Sequence, residues 1–194
     1  APYEIIYVND GATAETSSKL LSIGEDNVRI SIIEFSRNFG KEAALTAGLN
    51  CSVGEAVCVI DADLQDPPEI IIDMYQFFIK GIDVVYAKRK KRKGESFIKK
   101  STAHLFYWLI HRISSIKIPE NTGDFRLMSR KAVNELNKLS ERQRFMKGLF
   151  SWIGFSQVAI EYDRDSRFAG KTKWNYWRLW NFALDGITSF TAIP

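Results

Sequence analysis

Apolar and polar positions alternate in short blocks through the first half of the chain, and the blocks change character near residue 94. Nearly continuous apolar runs predict strands at Tyr3–Val8, Val28–Phe35, Ala56–Ile60 and Asp83–Ala87. Between them, apolar residues at helical spacing predict helices at Thr13–Ile23, Gly40–Asn50 and Ile70–Ile79. Apolar strands separated by helices imply a mostly parallel α/β sheet with helices on both faces. From Gly94 the pattern shifts to longer, aromatic-rich helices, Phe97–Ile113, Glu141–Trp152 and one from Trp174 onward. One more strand, Val158–Tyr162, lies between the last two. No repeat or low-complexity linker divides the chain, which predicts a single domain over residues 1–194.

The polar residues that end these strands carry the candidate chemistry. Ala56–Ile60 stops at Asp61-Ala62-Asp63-Leu64-Gln65-Asp66-Pro67-Pro68-Glu69. Carboxylates at i and i+2 on extended backbone point the same way, so Asp61 and Asp63 are expected to face one hard cation, Mg²⁺ or Mn²⁺. The plainer reading is a polar strand-to-helix turn, closed by the prolines and Glu69. Asn9-Asp10-Gly11 ends the first strand and Ser36-Arg37-Asn38-Phe39-Gly40-Lys41 the second. All three loops fall on one sheet edge, where α/β proteins bind ligands. Asp10 there is placed to accept from a base or ribose, unless the triplet is simply a turn.

Further along, Asp124 and Arg126 flank Phe125 in Asn121-Thr122-Gly123-Asp124-Phe125-Arg126-Leu127. On extended backbone they share a face, giving either a self-paired surface salt bridge or a carboxylate with its orienting cation. Arg167, Lys171 and Lys173 sit on a loop hinged at Gly170, suited to folding over a diphosphate or to a solvated connection. No G-x-x-x-x-G-K-[ST] context surrounds it, which excludes a P-loop.

Composition narrows the classes. With 194 residues, 45% of them hydrophobic, the chain can bury a real core. Cys51 and Cys58 have no metal or redox spacing and read as buried, reduced thiols. No apolar run approaches the ~18 residues that cross a bilayer, so this chain is expected to be soluble. The net charge of +4 is uneven, with six consecutive basic residues at Lys88–Lys93. That run leads into an aromatic helix, a combination that suits an anionic membrane surface at least as well as nucleic acid. His104 and His111 lie on that helix without nearby carboxylates and read as helix-face residues. The opening at Ala1-Pro2 and the apolar close at Ile187–Pro194 give the expectation of a domain cut from a longer protein that continues into membrane.

Taken in order, Asn9-Asp10-Gly11, Asp61–Glu69, Gly123–Arg130 and Ser166–Trp174 make a set. With Arg37–Glu42, Phe145–Gly148 and Leu179–Phe190, they give a chain that resembles the family 2 glycosyltransferases over nearly its whole length. Within that family it looks most like the polyprenyl-phosphate sugar transferases: the bactoprenol glucosyltransferases, with the dolichol-phosphate mannose synthases as cousins. The resemblance implies a GT-A, Rossmann-like fold whose first strand precedes this chain. It implies a nucleotide-binding half at about residues 1–90 and an acceptor half at about 91–194.

It also implies roles. Asp10 contacts the nucleoside; Asp61 and Asp63 hold the divalent metal and the diphosphate, with Gln65 as a further ligand. Asp124 and Arg126 stand at the acceptor side, Asp63 joining them as a catalytic group. Arg89 and Arg92 bind the acceptor phosphate, and Arg167, Lys171 and Lys173 close over the donor. The implied reaction moves glucose, with inversion, from UDP-glucose to undecaprenyl phosphate at the cytoplasmic face of the inner membrane. The implied product feeds cell-surface polysaccharide. A phosphate acceptor is already anionic at neutral pH, so no strong base is demanded. GDP-mannose or a 4-amino-arabinose nucleotide remains an alternative donor; a non-catalytic scaffold and a nucleic-acid binder are alternatives of another class. Nucleic acid is disfavoured because carboxylates stand where its phosphates would need cations, and homo-oligomerisation stays open. One departure stands out: Ala12-Thr13-Ala14 replaces the family's Ser-x-Asp, which predicts a helix start weakened by about 1 kcal/mol.

Overall fold

The computed structural model describes residues 2–25, 28–90, 119, 122–139 and 144–163. The predicted elements of the first half form in order: β1 (Ile5–Asn9), α1 (Ala14–Glu25), β2 (Ile30–Glu34), α2 (Lys41–Cys51), β3 (Ala56–Val59), α3 (Ile70–Ile79) and β4 (Val84–Arg89). Then come β5 (Thr122–Ser129), α4 (Arg130–Lys138), α5 (Met146–Trp152) and β6 (Gln157–Tyr162). The architecture is the expected α/β one, with parallel pairs β1–β2 and β4–β6.

Several expectations change. The segment around Asp124 is a full strand, β5, inserted between β3 and β4 and antiparallel to both. A helix the apolar pattern did not separate, α4, follows it directly, with the Ser129 side chain accepting from the Ala132 amide as its N-cap. Of the expected helix at Glu141–Trp152, the described part is helical over Met146–Trp152, whereas Arg144 and Phe145 are not helical. Lys88 and Arg89 belong to β4, so the basic run is not one solvated loop; Lys88 pairs with Glu161 and Lys90 with Asp163. Cys51 is exposed at the end of α2, not buried, and Cys58 is half-buried with its thiol pushed up to about 12 by burial. The helices expected at Phe97–Ile113 and from Trp174 lie outside the described residues.

Burial explains why the strands read as continuous apolar runs. Alternate residues of β4 and β5 face opposite layers, as side-chain period two requires. Val84 and Met128 pack with Leu49, Leu136 and Phe150 from the helices on one face. Val85 and Leu127 pack with Met74 of α3 and Tyr162 of β6 on the other. Each such side chain contributes about 1.5–3 kcal/mol by leaving water.

Reversal of β5 has a functional consequence. Val59, the last residue of β3, pairs with Arg126, and Lys88 near the end of β4 pairs with Thr122. The beginning of β5 therefore lies at the ends of its neighbours. Thr122, Gly123 and Asp124 reach the same carboxyl-end edge as Asp61.

The first two loops on that edge are locked together. Gly11 has φ +65°, and a Cβ there would fall 2.4 Å from the Asn38 backbone nitrogen. The Asp10 carboxylate accepts from the backbone amides of Phe39 (2.6 Å) and Gly40 (3.0 Å), and the Asn38 side-chain Nδ2 donates to the Asp10 carbonyl. Thr13 supplies the cap the departure from the family pattern put in question: its hydroxyl accepts from the Thr16 amide at 3.4 Å. Replacing Gly11 with Ala combines a left-handed backbone with a clash against main chain. Gly11→Ala is expected to cost ~3 kcal/mol in urea unfolding; a loss below 0.5 kcal/mol contradicts this packing.

Candidate active site

Three consecutive residues at the start of α2 organise the crevice. Gly40, with φ +97°, presents its amide to Asp10. Lys41 reaches across the sheet edge, its ammonium 2.8 Å from Asp61 Oδ1, 2.9 Å from Asp61 Oδ2 and 2.7 Å from Asp124 Oδ2. Glu42 turns inward, and its Oε2 accepts from the Met146 amide at 3.3 Å. The helix start thus ties together the loops after β1, β2 and β3, the beginning of β5, and the beginning of α5.

Asp61 and Asp63 do not stand side by side on extended backbone as expected. The strand stops at Val59, and both aspartates lie in a turn that Leu64 completes at φ 57°. A left-handed leucine is strained and marks a loop held by its surroundings. Asp63 Oδ1 accepts from the Gln65 amide at 3.1 Å, while Asp61 takes the ammonium. The loop is pinned from below by Asp66, which is 2% exposed and accepts the Tyr162 hydroxyl of β6. Arg89 Nε donates to that same hydroxyl at 3.4 Å. Gln65 is also buried.

Nor do Asp124 and Arg126 form a surface pair. Both are buried, and Asp124 makes an ion pair with Lys41. The Arg126 guanidinium donates to the carbonyls of Gly123 (2.9 Å) and Asp124 (3.3 Å) and lies 3.5 Å from the Phe150 ring centroid. A Cβ at Gly123 would approach the end of the Arg89 guanidinium to 2.8 Å. Arg89 therefore sits against the Asp124 segment. Arg92, Arg167, Lys171 and Lys173 lie outside the described residues.

The electrostatics are those of one coupled cluster. Burial alone would push Asp124 up, but the Lys41 charge and hydrogen bond, with Arg126 and Lys147, hold it below the usual carboxylate value. Lys41 is raised despite burial, by Asp124 and then Asp61. Arg126 falls to about 10, first through burial, with Asp124 opposing. Lys147 is lowered by burial, against the pull of Asp124 and with Arg89, Lys41 and Arg126 repelling its charge. Glu42 is raised to about 7 by burial and then by Asp124. Asp61, Asp124 and Glu42 thus face Lys41, Arg89, Arg126 and Lys147. Such a set tolerates an added anion well, the more so when Glu42 holds a proton.

Sequence reasoning missed Lys41, Glu42, Lys147 and Tyr162 as site residues. Lys41 had a usable signal: a cation one residue after a glycine, at a helix start on the ligand edge. Glu42 and Lys147 lay in the Arg37–Glu42 and Phe145–Gly148 segments of the family resemblance, but nothing there gave them a role; Tyr162 had no signal, since its partner Asp66 is remote in sequence.

Glu42 yields a pH test. Its folded-state value lies above the ordinary 4.5, so the folded chain holds an extra proton between roughly pH 4.5 and 7. The penalty of ionising it is absent below that window and complete above it. Glu42→Gln keeps an acceptor for the Met146 amide without the charge. The variant is expected to gain on the order of 2 kcal/mol over wild type at pH 8 relative to pH 4.5. Urea midpoints at the two pH values measure this, and a constant difference would contradict the burial of that carboxyl.

Comparisons with known proteins identify a family. The family model described as glycosyl transferase family 2 matches residues 1–136. An uncharacterized glycosyltransferase of Synechocystis sp. is 55% identical over 99% of this chain and 60% of its own length. The bactoprenol glucosyl transferase of Shigella phage SfX is 47% identical over 100% of this chain and 64% of its own. The chain thus spans about three-fifths of the length of these curated relatives. Among solved structures, a mycobacterial protein aligns with a TM-score of 0.59 at 17% identity, over 98% of this chain and 65% of that one. Staphylococcus aureus TarS 1-349 aligns with 0.53 at 12%, over 83% and 50%. These likenesses fit the Rossmann-like GT-A fold, and the match of the family model across most of the chain shows that the protein belongs to glycosyl transferase family 2.

Proposed function

We propose that this chain is the catalytic domain of an inverting hexosyltransferase that moves glucose from UDP-glucose to a polyprenyl phosphate, undecaprenyl phosphate, at a membrane surface. The observation that carries the reading is the shared ammonium between Asp61 and Asp124, ringed by Arg89, Arg126 and Lys147. That arrangement suits a reaction which brings two phosphorylated substrates together. The relatives named bactoprenol glucosyl transferase support the choice of sugar and acceptor. Among the described residues no helix is long and apolar enough to cross a membrane. Membrane action at the inner cytoplasmic face is assigned to the whole protein on the strength of the relatives named bactoprenol glucosyl transferase.

Asp61 and Asp63 fit a hard divalent ion, Mg²⁺ or Mn²⁺. Asp61 already holds a cation with both oxygens, and Mg²⁺ is usually shared between one or two carboxylates and substrate phosphates. When bound, the ion would neutralise charge on the leaving diphosphate. Gln65, buried beneath the same loop, is assigned to support it or to add a ligand. Asp10 shapes the nucleoside end by fixing the Phe39–Gly40 turn.

An oxygen of the acceptor phosphate attacks the anomeric carbon from the face opposite the UDP, the carbon–oxygen bond to UDP breaks, and configuration inverts. The acceptor arrives ionised, so Asp124 takes no proton; through Lys41 it fixes a cation near the reacting groups. Arg89, held by Tyr162 and against Gly123, is assigned to the acceptor phosphate. Arg92 is assigned there too, and Arg167, Lys171 and Lys173 to closure over the donor, by the family resemblance. A homo-oligomer is compatible with this assignment and is not required by it.

Calorimetry with UDP, UDP-glucose and GDP-mannose, each with and without Mn²⁺, tests the reading. Metal-dependent binding of the uridine ligands is expected, weakened at least tenfold by Asp61→Ala or Asp63→Ala. Preference for the guanine nucleotide moves the donor to GDP-mannose, and no binding by folded protein ends the enzyme reading.

A further inference from the structure

We propose that Lys41 is a positioning residue whose ammonium and the divalent ion exchange at Asp61: the ion displaces Lys41 from Asp61, and Lys41 stays on Asp124. The inference rests on the proposed function only in taking Asp61 as the carboxylate that receives the metal.

The two halves of the Lys41 bridge differ in exposure. The Asp61 side chain is 29% exposed and that of Asp124 only 11%. Lys41 itself is 49% exposed, so it has room to move. An exposed ion pair contributes little net stability and is readily exchanged. A buried carboxylate that loses its cation is left with an uncompensated charge, which is far costlier. The competition therefore resolves asymmetrically, with release at Asp61 and retention at Asp124.

Geometry forces the competition. Lys41 lies within 2.9 Å of both Asp61 oxygens, so a metal bound by either oxygen meets the ammonium at close range. Like charges sharing one carboxylate repel, and one must withdraw. Lys41 starts α2, and the Gly40 amide is held by Asp10, so the side chain can swing while its backbone stays fixed. Arg126 and Lys147 also act on Asp124, but Lys41 is the cation that contacts both carboxylates. Metal arrival on the donor side is thus transmitted to Asp124 on the acceptor side through one side chain.

The apparent affinity for Mn²⁺ at saturating UDP, read from the electron paramagnetic resonance of free Mn²⁺, tests this. Lys41→Met removes the competing charge at nearly constant length and is expected to tighten Mn²⁺ three- to tenfold. Lys41→Arg keeps the charge and is expected to stay within twofold of wild type. Unchanged or weaker Mn²⁺ binding in Lys41→Met, with wild type binding normally, overturns the exchange and leaves the transferase reading standing. Wild type that binds no Mn²⁺ with UDP overturns both. Should Lys41→Met fail to fold because Asp124 is stranded, the double variant Lys41→Met/Asp124→Asn removes the stranded charge and is expected to show the same tightening. In wild type, the Lys41 Cε nuclear magnetic resonance signal, assigned by its loss in Lys41→Arg, is expected to move on adding Mg²⁺ with UDP. A stationary signal overturns the proposal.

Discussion

The start of α2 is the constraint on which the crevice depends. No backbone ladder joins the β1–β2 pair to the four-stranded sheet among the described residues. The link is made by side chains and amides of Gly40, Lys41 and Glu42, together with the packing of α2 on both units. Gly48 of α2 lies against Val8 of β1, and Leu49 enters the core shared with β4, β5, α4 and α5. At the far end of α2, Glu4 accepts from the amides of Val53 and Gly54, and Arg130 donates to the Gly54 carbonyl. One short helix is therefore clamped at both ends, and its first turn inherits a fixed position over the sheet edge.

That rigidity explains how a cluster of four cations and three carboxyls is tolerated in a half-buried place. Burial opposes charge on Asp124, Glu42, Arg126 and Lys147 alike. The groups remain because their partners are held by elements that cannot drift apart: Arg126 by the β5 backbone and the Phe150 ring, Asp124 by Lys41. Glu42 alone moves toward protonation near neutrality, which relieves the crowding of negative charge. The site is thus prepared electrostatically before any substrate enters.

Much of this was legible in the sequence because local patterns determine it. Apolar runs gave β1 to β4, and carboxylates after an apolar run marked the Asp61 loop. The failures have a common cause. Asp61 and Asp63 occupy a turn because Tyr162 anchors Asp66 and Leu64 turns left-handed, and nothing within the loop announces either. Asp124 and Arg126 read as either a surface salt bridge or a carboxylate with its orienting cation; the fold removes the first by burying both, and brings Lys41 to Asp124 from a remote helix. The antiparallel entry of β5 is a property of sheet order, which adjacency along the chain does not encode. The miss of α4 is of another kind, since its signals are local: Ser129 as cap and Ala132, Val133 and Leu136 as its buried stripe.

The insertion of β5 also sets the order in which this molecule can be made. During synthesis the segment through β4 emerges with β3 and β4 lacking the strand that separates them, so their inner edges must wait for residues 122–129. The Asp66–Tyr162 bond closes a separation of 96 residues, among the longest-range hydrogen bonds described. Loop closure of that length follows rather than leads collapse. The crevice edge is therefore a late product of folding, and a ribosome-bound chain stopped before Tyr162 would carry most of the core without the finished candidate site.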